Sequence, residues 1–411
     1  MERKEYVIES ELGEIRTHTH YLRGTGGQPN YNSGRSLFEG TASREKFKSD
    51  RMLELMLDYS TDMSDRAASR RLNRIRHESK GIIATTYRNI VEREGQKIAE
   101  HIENKCDLAL EANGFSNSGD LKDGVEFKPE AGTHIPIEIL GAAAAELRIK
   151  KVRVSEYEHP ENAVNISADD VCVKRQTETR PRPEKEQPKR VDNSVIHVES
   201  NAGKYILNSS SVVGVLKLLL GFLLCVGLSK KQLVFFTDGA REIHNQITRF
   251  FAFANYKIIL DWYHLAKKCR EQLSMALKNA NIRNEFLKGL LPCLWFGNVG
   301  GAIKLLHNID PKLVKNFDEI NKLVGYFERC RHFIPCYALR KELGLRNSSN
   351  SGEKVNDLIV SSRQKHNGMS WSDTGSRAFA SVAAVSSNQQ IFNWIHFRTI
   401  NFDFVSFDEA L

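Results

Sequence analysis

Acids stand at three places where this chain should turn out of a strand or open a helix: Asp169-Asp170, Asp238 and Glu353. Val164-Asn165-Ile166-Ser167-Ala168 reads as a strand that ends in Asp169-Asp170, and Leu233-Val234-Phe235-Phe236 as an apolar strand that reaches Asp238 through Thr237. Glu353 stands where a last helix should begin and run towards Arg363. Carboxylates that converge from strand ends and a helix start supply the hard oxygen ligands needed by two Mg²⁺ (or Mn²⁺) ions about 3.5–4 Å apart. Such a pair activates a water or a 3′-hydroxyl and stabilises a charged leaving oxygen, the chemistry of phosphodiester hydrolysis and transesterification. Taken singly, each acid has an ordinary explanation. Asp after a strand is a turn former or helix cap, and Glu in a first helical turn suits the helix dipole. Three of them at matching points of one fold order point to a metal-ion site, with Asp169, Asp238 and Glu353 as catalytic ligands and Asp170 as a further ligand. The strand register leaves either Asp169 or Asp170 as first member, with Asp169 favoured.

The elements that must position these acids follow one another in a definite order. After the strand at 164–168, Thr177 to Arg190 is a Pro- and charge-rich loop. Ser194–Val198 and Lys204–Leu207 flank Asn201-Ala202-Gly203 as a hairpin. An apolar helix at 212–228 leads to the strand at 233–236, a helix, and a second apolar strand at Lys257–Leu260. Continuous apolar strands of this kind suit the interior of a partly parallel sheet covered by helices on both faces. Strand, strand, strand, helix, strand, helix, strand is the order of an α/β ribonuclease H-like core. The step of 115 positions from Asp238 to Glu353 is too long for a minimal core and implies an all-helical insertion at 265–345.

At this point the motifs become specific. Phe236-Thr237-Asp238-Gly239-Ala240, followed by Leu260-Asp261-Trp262-Tyr263-His264, resembles the second-Asp region of bacterial insertion-sequence DDE transposases. Asp261-x-x-His264 is similar to the Cys/Asp-x-x-His signature of the Mutator-like and hAT-like groups. Gly352-Glu353-Lys354-Val355-Asn356-Asp357 resembles the region around their catalytic Glu. There a basic residue falls ten positions on and another twelve, Arg363 and Lys365 here, before Gly368-Met369-Ser370-Trp371. The likeness spans roughly residues 160–380 and departs at Asn350-Ser351-Gly352-Glu353, where the commoner form is Gly-Ser-Gly-x-Val-Glu. It implies a DNA transposase of a mobile element: cleavage and strand transfer by a DDE triad with two bound Mg²⁺ or Mn²⁺ ions. Asp261, His264, Asn356 and Asp357 would then support the triad, and Arg363 and Lys365 would touch phosphate. Trp371 either packs in the core or stacks on an unpaired base.

The first part of the chain fits a nucleic-acid partner. Ser43 to Cys106 reads as three short helices, a helix-turn-helix type of module. From Arg66 to Lys97 nine Lys/Arg oppose three acids, a net +6 in 32 residues out of +8 for the whole chain. Arg70, Arg71, Arg74, Arg76 and Arg88 are therefore expected to bind double-stranded DNA. The expected organisation is an irregular segment at 1–45, a helical DNA-binding domain at 46–106 and a connector at 107–160. A ribonuclease H-like core at 161–264 and 346–411 then encloses the insertion.

Composition bounds the rest. The 411 residues suggest two to three domains, and 41% hydrophobic with 27% charged residues is ordinary for a soluble fold. Seven cysteines, an odd number without a CxxC pair, indicate neither a disulfide framework nor a zinc knuckle. No apolar stretch follows Met1-Glu2-Arg3-Lys4-Glu5, and the apolar run at 212–228 is short and interrupted by Lys217. A cytoplasmic, nucleoid-associated protein that works as a homo-oligomer on DNA, away from membranes, is expected. Two rivals stand beside this reading: a host nuclease of the same fold, which cuts without joining, and a catalytically inactive DNA-binding protein derived from a transposase.

Overall fold

The computed structural model describes residues 2–22, 31–32, 47–78, 81–176, 188–349, 354–365 and 369–407. Glu353 and the Gly368 of the Gly-Met-x-Trp motif lie outside the described residues. The chain forms two compact units. One joins Met1–Ile102, Val173–Val191 and Leu358–Asn401; the other joins Glu103–Cys172, Asp192–Asp357 and Phe402–Leu411.

The first unit opens on a hairpin, β1 (Glu2–Ser10) and β2 (Gly13–Leu22), in a four-stranded sheet with β3 (Tyr31–Asn32) and β4 (Phe47–Lys48). This corrects the expectation of an irregular segment for residues 2–22. The strands hide from a hydrophobic-pattern reading because Ile15 is about half exposed and the turn, Glu11-Leu12, carries no Asn-Gly or Asp-Gly signal. Cross-strand pairing from Glu2↔Tyr21 to Ser10↔Gly13 holds them instead.

Three helices follow. α1 (Asp50–Asp62) starts where the Ser49 side chain accepts from the Met52 N–H, and buries Met52, Leu53, Met56 and Leu57. α2 (Asp65–Ile75) is capped in the same way by Ser64 and buries Ala68 and Leu72. α3 (Ala84–Ala112) runs for 29 residues where the sequence predicts a short helix. Gly95 does not break it; a Cβ there would come within 2.3 Å of the Ala378 carbonyl on α12 (Asp373–Ser387), so glycine is what allows that close approach. α13 (Ile391–Phe397) completes the unit.

The second unit holds a five-stranded sheet in the order β7-β6-β5-β8-β9. Its strands are β5 (Ala163–Lys174), β6 (Arg190–Ser200), β7 (Gly203–Ser209), β8 (Gln232–Thr237) and β9 (Tyr256–Leu260). β6 and β7 form the antiparallel hairpin read from the sequence, whereas β5, β8 and β9 run parallel. α4 (Ile137–Glu146) precedes the sheet, α5 (Val212–Cys225) joins β7 to β8, and α6 (Arg241–Phe251) joins β8 to β9. The apolar run at 212–228 is thus a buried helix: Leu216, Leu219, Leu220, Phe222 and Leu223 are enclosed, and Phe222 stacks on Tyr205 of β7 at 4.6 Å. No helix among the described residues is long and apolar enough to cross a membrane. Phe402 and Phe404 pack edge-on against the same two rings, and Lys204 and Val405 exchange backbone hydrogen bonds of 2.9 and 3.0 Å at the outer edge of β7.

Between β9 and Leu345 the chain is helical: α7 (Trp262–Ala276), α8 (Ala280–Trp295), α9 (Val299–His307), α10 (Phe317–Cys330) and α11 (Tyr337–Glu342). Leu265, Leu273, Leu290, Leu294, Leu306 and Phe327 share one core with Val234, Phe236 and Leu260 of the sheet. In the same unit, a fully buried Arg340 donates 3.1 and 2.6 Å hydrogen bonds to the two carboxylate oxygens of Glu158, itself 1% exposed, and Lys257 adds a third at 3.1 Å.

Candidate active site

The site is set by strand register. β5 and β8 pair Ser167 with Phe236, and β8 and β9 pair Thr237 with Leu260. Continued along the parallel strands, the same register brings Asp169 level with Asp238, and Asp238 level with Asp261. Successive side chains on a strand point to opposite faces, so Asp169 and Asp170 cannot both face the same partners. Asp170 accepts a hydrogen bond from Ser194 Oγ of β6. Asp169 accepts one from the Asn356 side-chain amide, beyond the segment that carries Glu353. Burial pushes the Asp169 carboxyl above its usual range and the negative charge of Asp238 adds to this, while His264 and Asn356 pull the other way.

Asp238 sits at an exposed turn. Its Oδ1 accepts from the Ala240 N–H at 2.8 Å, and its carbonyl accepts from the Tyr326 hydroxyl at 3.2 Å. Gly239 next to it has φ +87°, and a Cβ there would meet Leu260 and the Tyr326 hydroxyl at 2.9 Å, so only glycine makes this turn readily. Behind it Thr237 Oγ1 and His244 Nε2 lie 2.6 Å apart.

Asp261 has a different occupation. It is 1% exposed, caps α7 by accepting from the His264 N–H at 3.0 Å, and accepts from both the backbone N–H and the hydroxyl of Ser349. The Trp262 N–H reaches the Asn347 carbonyl at 3.0 Å beside it. One Asp261 oxygen caps α7 and the other ties the end of β9 to Ser349, four residues before Glu353 in the sequence, so it is a positioning residue.

A divalent cation needs hard oxygen donors and uncompensated negative charge. Asp169 and Asp238 offer both: among the described residues neither carboxylate has a Lys or Arg within ion-pair distance, and the charge of Asp238 raises the cost of ionising Asp169. Among the described residues no group of three or more His, Cys, Asp or Glu side chains stands ready to hold a metal. Glu353, the third acid expected from the sequence, falls outside them; Lys354-Val355-Asn356 is helical and leads into a π-helical turn at Asp357–Ser361 and a short helix at Ser362–Gln364. Asp357 is exposed.

The basic residues separate into two groups. Arg70, Arg71 and Arg74 are exposed on α2, Lys365 is exposed, and Arg88 is 47% exposed while bound to Asp65 at 2.7 Å. Arg76, Arg363 and Trp371 turn inward, which withdraws the expectation that they touch DNA. Arg76 is buried beside Glu78 at 2.9 Å. Arg363 binds Asp65 at 2.6 Å and the Ser60 carbonyl at 3.1 Å, with its guanidinium over the rings of Trp371 and Phe379. Trp371 is 4% exposed and donates to the Gln364 carbonyl at 3.2 Å. Arg241, Lys267, Lys268 and Arg329, which sequence reasoning passed over, line a cleft that starts at Asp238. The Lys267-Lys268 pair one helical turn after His264 was the available signal.

No known protein family matches this chain, and no curated protein matches it. Among solved structures it is similar to the Drosophila P element transposase strand transfer complex, at 9% identity over 89% of this chain and 87% of that one, with a TM-score of 0.29. A likeness that loose carries no argument about this chain.

Proposed function

We propose that this chain is a DDE-type DNA transposase whose second unit is a ribonuclease H-like core with a helical insertion. The observation that carries the reading is the β5–β8 register, which brings Asp169, inside β5 and not at its end as the sequence suggested, level with Asp238 just past the end of β8, with Asn356 held on Asp169. Glu353 is three positions before Asn356 in the sequence, which supports Glu353 as the third acid. The sheet order, with a hairpin beside three parallel strands, supports the core assignment.

Asp169, Asp238 and Glu353 would hold two Mg²⁺ or Mn²⁺ ions, which when bound supply an activated water or 3′-hydroxyl and charge stabilisation at the leaving oxygen. Asn356 orients the Asp169 carboxylate, the Ala240 N–H orients that of Asp238, and Asp261 holds Ser349. With Asp170 engaged by Ser194, it leaves the ligand set. The decisive experiment is incubation with supercoiled plasmid and DNA carrying the mobile element's ends, with and without Mg²⁺. Metal-dependent nicking and joined products are the expected outcome. Nicking without joining would make the protein a nuclease, and neither would make it a DNA-binding relic.

DNA binding itself is assigned to the exposed arginines of α2, with a homo-oligomer assembled on DNA. Replacing Arg70, Arg71 and Arg74 with Ala is expected to weaken duplex binding and flatten its salt dependence by about 0.9 in log–log slope for each phosphate no longer neutralised. Anisotropy titrations across a salt series measure this, and a slope equal to that of the wild type would leave α2 as a solvated face.

A further inference from the structure

The cleft that opens at Asp238 has a volume of about 700 Å³ and is walled by α7 and α10. α7 contributes His264, Lys267, Lys268 and Glu271, at the three- and four-residue spacing that aligns side chains on one helix face. α10 faces it with Lys322, Gly325, Tyr326 and Arg329, and Arg241 stands at the start of α6. Five cations thus meet two acids, Glu271 and Asp238 itself. Lys322 is held by Glu319 at 2.6 Å, whereas Lys267, Lys268 and Arg241 are exposed on the cleft. The charge calls for a polyanion.

The lining also says how that anion is held. Tyr326 is buried with its hydroxyl committed to the Asp238 carbonyl, and among the described residues no exposed Phe, Tyr or Trp lines the cleft. A base or free nucleotide would need an aromatic or apolar slot for its ring, so the contacts on offer are to phosphate. The seven helical steps from His264 to Glu271 cover about 10.5 Å at ~1.5 Å each. That is the axial rise of roughly three nucleotides at ~3.4 Å per nucleotide of one strand. Gly325 leaves the far wall open, since a Cβ built there meets nothing within 4 Å.

We propose that this cleft is a sequence-independent path for about three nucleotides of one DNA strand next to the phosphate cut at Asp169 and Asp238, held through its phosphates by Lys267, Lys268, Arg241 and Arg329. The proposal rests on the catalytic reading above and adds a strand path that the carboxylates alone do not define.

The test uses the full chain without metal and a fluorescent oligothymidylate of about twelve nucleotides, inside the ~4–16-nucleotide span of single-strand sites. Lys267→Ala with Lys268→Ala is expected to raise Kd about tenfold and reduce the salt slope by about 1.4, at ~0.7 per single-strand phosphate neutralised. Gly325→Glu, which fills the open wall without disturbing the core, should weaken binding to the same degree, while Gly325→Ala should not. Oligocytidylate should behave like oligothymidylate. Wild-type binding by both Lys267→Ala/Lys268→Ala and Gly325→Glu overturns the proposal. So does displacement of the strand by inorganic tripolyphosphate at equal concentration, which would show a compact anion site. Plasmid nicking by the wild type, scored in parallel, separates the two claims. A nicking enzyme whose variants bind normally loses the cleft alone, and a wild type that binds through the cleft without nicking loses the catalytic reading alone.

Discussion

Asp238→Asn is expected to abolish metal-dependent nicking and strand transfer together, by at least about a thousandfold or ~4 kcal/mol of transition-state stabilisation, while the fold and duplex binding persist. The amide keeps an oxygen for the Ala240 N–H, so the turn survives. What it removes is one of the two negative charges that Asp169 and Asp238 bring together, and both reaction steps would use the same ions. Asp169→Asn should do the same. Asp170→Asn is the internal control, because the Asp170 carboxyl is taken up by Ser194, and Asp357→Asn, at an exposed position, should slow the reaction without ending it. Equal Mg²⁺-dependent nicking by wild type and Asp238→Asn would overturn the mechanism whatever the fold.

The largest expected effect on stability comes from the other charged cluster. Glu158→Gln should cost about 3–5 kcal/mol, because it leaves the buried Arg340 guanidinium without its charge partner. Burial pushes the Glu158 carboxyl up, yet Arg340 and then Lys257 outweigh it and hold the carboxyl at about 2. A folded-state value below the unfolded one means stability that is full above the ordinary carboxylate range and is lost as pH falls towards about 2. Urea unfolding midpoints at neutral pH should therefore differ strongly between wild type and Glu158→Gln, and converge as pH drops through that window. Glu158→Leu combined with Arg340→Met should recover much of the loss, since a pair replaced by apolar groups leaves no orphaned guanidinium. A single variant within about 1 kcal/mol of wild type at neutral pH would contradict the assignment.

What the sequence made legible was local. Phe236-Thr237-Asp238-Gly239 announces an apolar strand and a turn by itself, and the apolar helix and the hairpin around Asn201-Ala202 are equally self-contained. Asp169 and Asp170 were not separable, because one residue of slip exchanges the faces of a strand. What tells them apart is their partners, Ser194 on the neighbouring strand for Asp170 and Asn356 far along the chain for Asp169. Arg363 and Lys365 look alike on paper, two basic residues at family spacing. The difference lies in Asp65, 298 residues earlier, which draws Arg363 inward. The cleft was hidden for the same reason, since its second wall arrives with α10. At the N-terminus, strands held by pairing and not by burial leave little hydrophobic pattern to read.

The bond between Lys204 and Val405 has a consequence for handling the protein. An outermost strand with free N–H and C=O groups is a template for strands of other molecules, and proteins that leave one uncovered tend to aggregate. Here Phe402, Phe404 and Val405 lie over β7 like a fitted seam, covering its aromatic rings and occupying backbone groups at Lys204. Shortening the chain before Phe402 would unpick that seam, and insoluble, sheet-joined assemblies should follow even though Asp169 and Asp238 are untouched.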